Sequence, residues 1–205
     1  MFIRNSYRKL RYILKSYFVK FSPTIATKYF YKKNTGKKLD LDNPKDFNEK
    51  INWLKLYWQH PLVVKCGDKY EVRNYAEEKG CSNALIKSYG IFNSACEIKW
   101  DELPEKFAIK VTNGCGYNII CEDKNTLNKE QTEKQLNKWL KTDYSAESAE
   151  IHYSKMTPRI IIEEFIETKE GNLPIDYKIY CFNGEPEYIL VTPDRESGFK
   201  RYLFD

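Results

Sequence analysis

Apolar residues recur three or four positions apart through the first part of the chain, and at every second position or in unbroken runs through the last third. The first rhythm predicts helices and the second predicts strands. Tyr7, Leu10, Ile13, Leu14, Tyr17 and Phe18 stand at helical intervals between basic residues, which describes a basic amphipathic helix. Asn43-Pro44 opens another helix, since Asn can cap and Pro is tolerated at the first helical position. It places Phe47, Ile51, Leu54 and Trp58 on one face and ends by Pro61. Asp68-Lys69-Tyr70 starts a further helix, with Val72, Tyr75 and Ala76 inward and Gly80 as its left-handed stop. Residues 84–87 and 89–92 read as short strands, followed by a charged connector to Pro104. Asn128 or Thr126 begins a helix that turns Leu136, Trp139 and Leu140 inward, and residues 142–158, lacking a strong period, read as a loop.

Strands are expected over 159–166, 176–182, 187–192 and 199–204, with Asn183-Gly184 as a two-residue hairpin turn. The fold class is therefore α+β. Between the two regimes lies residues 107–121, where two short runs rich in β-branched residues flank a turn with two glycines, the pattern of a hairpin. Lys110 interrupts the first run, and an ammonium there is costly to bury unless an anion meets it. Gly114 and Gly116 allow close approach of the backbone, so a lysine beside this loop suits a phosphate. Taken alone, a Gly-x-Gly hairpin is more often only a turn.

With 205 residues the chain can bury a proper core without disulfides or metal. Its six cysteines include no C-x-x-C pair and its two histidines are His60 and His152, which argues against zinc and for reduced thiols. No run approaches the roughly 20 apolar residues of a membrane span, and the opening residues lack a signal-peptide core, so a cytoplasmic location is expected. The net charge of +5 is concentrated in the opening segment, 1–41, where Arg11, Lys15, Lys20, Lys28, Lys32 and others face only Asp40. That helix could lie on the anionic inner face of a membrane or pack its apolar stripe on the domain. Nucleic acid is disfavoured as a partner, because the remainder is acidic on balance and carries no RNA-binding aromatic signature.

Residues Ile160-Ile161-Ile162 pass directly into Glu163-Glu164-Phe165-Ile166, so a buried strand hands over to acidic residues. At such an exit the backbone can read an adenine edge and a carboxylate can accept ribose hydroxyls; the alternative is an edge strand with solvated glutamates. Four motifs taken in order resemble the ATP-grasp superfamily. They are Asp68-Lys69 heading a helix, Phe107-Ala108-Ile109-Lys110 before a glycine loop, Ile162-Glu163-Glu164-Phe165-Ile166, and Asp176-Tyr177-Lys178 running into Asn183-Gly184. The phrases from Asn43 to Lys55 and from Asp176 to Pro186 are similar to the TupA-like branch, which is linked to teichuronopeptide and other cell-surface polysaccharide synthesis.

The resemblance implies an ATP-grasp-like domain over 42–205, with a small lobe at about 106–158 and the start of a large lobe at 159–205, antiparallel sheets flanking a nucleotide cleft. It implies that Lys69 and Lys110 hold ATP phosphates, that Asn113, Gly114 and Gly116 close over them, and that Glu163, Phe165 and Ile166 form the adenine hinge with Glu164 or Glu167 near the ribose. Lys178, Arg195 and Arg201 are implied near the phosphates or a small carboxylate or glycan-linked acceptor. The implied activity is carboxylate–amine ligation through an acylphosphate. Mg2+ is implied as well, with ligands on strands beyond Asp205, so the chain is expected to be incomplete at its C-terminus and its turnover to be in question. Two rivals stand beside this reading. One is a glycosyltransferase, the label often given to such proteins, for which Asp40-Leu41-Asp42 is the sole Asp-x-Asp motif. The other is a non-catalytic nucleotide-binding adaptor.

Overall fold

The computed structural model describes residues 2–168, 174–193 and 200–205, which form two compact units, 1–164 and 165–205. The α+β expectation holds, with helices and two wholly antiparallel sheets.

The helix expected over Tyr7 to Phe18 is present, and a second helix follows it in the opening segment. Helix α1 (Phe2–Phe21) ends where Ser22 caps α2 (Pro23–Thr35), its hydroxyl accepting from the Ile25 amide at 3.3 Å with Pro23 at the first position. Of the apolar stripe predicted for α1, Tyr7, Leu10, Leu14 and Tyr17 are exposed, and Phe21 continues it at 88% exposure. Phe18, at the end of that stripe, does pack, against Val19, which is buried with Ala26 of α2 and Ala149.

Helix α3 spans Phe47–Tyr57 and begins three residues later than expected, because Asp46, not Asn43, is the cap. Asp46 accepts from the Glu49 amide at 2.9 Å and Glu49 reaches back, completing a capping box. Its predicted face is half-exposed, and Leu56 is the residue it buries. Pro61 then starts a short helix that the apolar spacing does not announce, α4 (Pro61–Gly67), ahead of α5 (Glu71–Glu78), which Gly80 closes at φ +74°. The strand expected over 84–87 is absent, with Ala84 ending a 3-10 turn (Ser82–Ala84) and 85–87 irregular, whereas β1 (Ser88–Phe92) is present.

Strands β2 (Phe107–Val111) and β3 (Asn118–Cys121) form the expected hairpin. Helix α6 (Lys129–Leu140) follows with Asn128 as its cap. The supposed loop contains α7 (Ser145–Ser148) and a 3-10 turn at Ile151–Lys155, both too short to show a period. Strand β4 (Ile160–Glu164) completes a sheet of order β1-β4-β2-β3. Phe107, Ile109 and Val111 on β2 alternate with the other face and join Ile160 and Ile162 in the main core, covered by Leu136 of α6.

In the second unit, β5 (Asp176–Phe182), β6 (Glu185–Thr192) and β7 (Tyr202–Phe204) form an antiparallel sheet. Asn183 and Gly184 both have positive φ, as a type I′ turn requires. Phe199, the start expected for the last strand, lies outside the described residues.

Candidate functional site

The face of β2 opposite the core carries Ala108 and Lys110, and register places Ala108 across from Glu163 and Lys110 across from Ile161. Lys110 and Glu163 are therefore diagonal neighbours on one face, close enough for long side chains to meet. They do so at 2.6 Å. The other carboxylate oxygen of Glu163 accepts from Arg73 of α5 at 3.1 Å, and Arg73 also donates to the Ile86 carbonyl at 2.6 Å. Glu163 is buried, so the anion that Lys110 demands is supplied from within the chain and shared with a second cation.

The start of α5 is tied to the hairpin loop by Lys69. One oxygen of buried Asp68 accepts the Tyr70 and Glu71 amides at 2.8 and 3.1 Å, capping the helix and fixing the preceding turn. This aims Lys69 across the loop: its amide donates to the Thr112 carbonyl at 3.4 Å, and its ammonium donates to the Val111 carbonyl at 3.0 Å and to the Gly114 carbonyl. Burial pulls the Lys69 ammonium below the ordinary lysine range, and the nearby charge of Lys110 acts in the same direction. On the other side, Thr112 is fixed to Arg159, the residue ahead of β4, by its amide on the Arg159 carbonyl at 2.9 Å and by its hydroxyl, which accepts from the Arg159 amide at 3.2 Å. Arg159 itself pairs with Glu71 at 2.7 Å and lies over the Tyr70 ring.

The two loop glycines serve different needs. A side chain on Gly114 would stand 2.8 Å from Tyr117, whose ring stacks on Trp139 at 5.2 Å and meets Tyr144 edge-on at 5.4 Å. Gly116 has φ +75° and a side chain there would meet nothing within 4 Å, so its requirement is backbone conformation beside open space. Burial pushes the Tyr144 hydroxyl up, and the charge of the neighbouring Cys115 thiolate acts in the same direction. Two buried oxygens at this junction, Asp68 Oδ2 and Asn113 Oδ1, have no hydrogen-bond partner among the described residues. Such groups are uncommon in folded proteins.

The structure thus brings Lys69, Lys110, Asn113, Gly114, Gly116 and Glu163 together in the first unit. Glu164 ends β4 exposed, with its amide on the Lys87 carbonyl at 2.9 Å. Phe165 and Ile166 belong to the second unit, in which Ile166 is half-exposed. In that unit Lys178 pairs with Asp176, and Arg201 is exposed just before β7. Arg195 lies outside the described residues. Sequence reasoning missed Arg73, which stands one helical turn after Lys69 and could have been found by asking which cation shares its face. It also missed the orphaned oxygen of Asp68, which no sequence signal reveals. Among the described residues, no group of three or more His, Cys, Asp or Glu side chains is placed to hold a metal ion.

Fold and site together define an α+β protein in which a glycine loop between two strands is gripped by one lysine and flanked by a second. The chain belongs to the TupA-like ATPgrasp family, whose model matches residues 49–205. No curated protein and no solved structure matches it.

Proposed function

We propose that the chain binds ATP through Lys69, Lys110 and the loop 113–116, and serves an ATP-dependent carboxylate–amine ligase that decorates a cell-surface polysaccharide. The observation that carries the nucleotide reading is an excess of cations around a glycine loop. Lys69, Lys110 and Arg73 stand against the carboxylates of Asp68 and Glu163, and the Lys69 ammonium holds only carbonyls. A half-buried ammonium without an anion is poorly compensated, and a polyphosphate would restore its charge balance. Gly116 leaves open space on the loop for such a ligand, and the Asn113 side chain is a polar group in want of a partner. Family membership points the same way, since ATP-grasp proteins generally bind ATP and Mg2+.

Glu163 holds Lys110 and Arg73 in place, so its carboxylate is committed. By the resemblance alone, Phe165 and Ile166 are assigned to the adenine, Glu164 or Glu167 to the ribose, and Lys178 and Arg201 to the acceptor. The chemistry ATP supplies is phosphoryl transfer: a carboxylate oxygen displaces ADP to give an acylphosphate, and an amine then displaces phosphate to give an amide. This chain's residues contribute placement and neutralisation of charge. No described residue is assigned to Mg2+. The glycosyltransferase reading is the less favoured, since Asp40 of its Asp-x-Asp motif uses Oδ1 to accept the Asp42 and Asn43 amides, each at 3.0 Å, in a local turn.

Thermal-shift measurements with ATP and with a sugar nucleotide, each with and without Mg2+, test the proposal. It predicts stabilisation by ATP that is lost in Lys69→Met, while stabilisation by the sugar nucleotide alone would overturn it.

A further inference from the structure

Helices α3 and α4 meet at His60-Pro61, where Trp58 stacks on the His60 ring at 5.3 Å and 18°. Between these helices and the turn at Ile151–Lys155 lies a cavity of about 510 Å³. Its apolar wall comprises Ile51, Leu54, Trp58, Val63 and Val64. The first three are 46%, 40% and 51% exposed, so the face expected to enter the core lines this opening instead. The polar side is formed by Lys55, Glu150, His152 and Lys155.

Each polar group is held without satisfying the charge of the two lysines. Lys55 donates to the Ser148 carbonyl at 3.0 Å, and Lys155 to Gln59 Oε1 at 2.6 Å, both neutral acceptors. Glu150 accepts from the Ser148 hydroxyl at 2.6 Å. Ala149, between those two residues, is buried in the left-handed region at φ 56°, which is uncommon for a residue with a side chain and is tolerated where the surroundings enforce it. Burial lowers both Lys55 and His152 from their ordinary values, Glu150 opposes the shift in each, and both lysines act on His152. With the imidazole neutral, two ammonium groups face one carboxylate, an excess of one positive charge beside an aromatic and aliphatic wall. Pockets of this size, mostly apolar with a few convergent polar groups, are the usual form of a small-molecule site.

We propose that this cavity binds a small aromatic carboxylate, with its ring on Trp58 and its single negative charge taken by Lys55 and Lys155. A monoanion matches the excess charge, whereas a phosphate dianion would leave charge uncompensated in a half-apolar space. The inference stands apart from nucleotide binding and is tested without any nucleotide present.

The probe is indole-3-acetate, compared with its neutral isostere indole-3-acetamide, titrated into the full chain by calorimetry. The expected result is that the acid binds about tenfold more tightly than the amide. Trp58→Ala is expected to weaken both ligands, and Lys155→Met to weaken the acid and narrow its advantage; both residues are exposed, so melting temperatures should stay close to wild type. Absence of binding, equal affinity for acid and amide, or unchanged affinity in both variants would overturn the proposal.

Discussion

Lys110 can stand in an apolar run because Glu163, its diagonal neighbour on β4, neutralises it and is itself braced by Arg73. Removing the shared anion is therefore worse than removing either cation. Glu163→Gln should lower stability by about 3 kcal/mol, since two cations lose their partner, whereas Lys110→Met, which leaves the Arg73 pair intact, should cost about 1 kcal/mol. Urea denaturation of the two variants checks that order. The demand for an anion was legible in the sequence; that the chain meets it internally was not, because pairing across β2 and β4 is a matter of register between segments far apart. Gly114 is similar: it reads as room for a ligand, and what it makes room for is the Tyr117 ring. His152 gives a pH signature with a definite sign. Burial holds its folded pKa below 6.5, so in the window between that value and 6.5 the unfolded chain binds more protons and stability falls as pH falls. In His152→Gln this part of the acid loss should vanish, which melting curves at stepped pH would show.

At the scale of elements, α3 owes its start to the Asp46–Glu49 capping box, and Asp46→Ala should cost about 1 kcal/mol in the same denaturation experiment. Its apolar face was legible but not what that face adjoins, because a helix with aromatic residues on several sides does not reveal which side is covered. Residues 142–158 had no period to read, since their short turns are held from outside, by the Tyr12 hydroxyl on the Asp143 carbonyl at 2.9 Å and by Lys15 on Glu147 at 3.0 Å. Those contacts also decide the orientation of α1. With Tyr12, Lys15 and Val19 engaged, the side bearing Leu10, Leu14, Tyr17 and Phe21 is left to solvent. No described helix is long and apolar enough to cross a membrane, but a stripe of this kind flanked by basic residues suits the plane of an anionic bilayer surface. We propose that α1 makes this contact. The full chain should co-sediment with vesicles containing phosphatidylserine and less with phosphatidylcholine alone, and Leu10→Asp with Leu14→Asp should abolish binding; a dimer in solution that buries the stripe would contradict it.

For the molecule as a whole, the alternation of periods 3.6 and 2 along the chain was enough for the fold class, and the order of four short motifs was enough for the family. The parts that escaped are those fixed by long-range contact: the break at Pro23, the helix at Pro61–Gly67, and the junction of Lys69 with the hairpin loop. That junction carries the central claim, because it makes the loop and the start of α5 a single cationic cradle. Calorimetric titration of ATP with Mg2+ into wild type and Lys110→Met tests it most directly. The account predicts affinity about tenfold weaker in the variant, with its melting temperature lowered by only about 2–4 °C, as the loss of about 1 kcal/mol requires; equal affinity in the two proteins would contradict it.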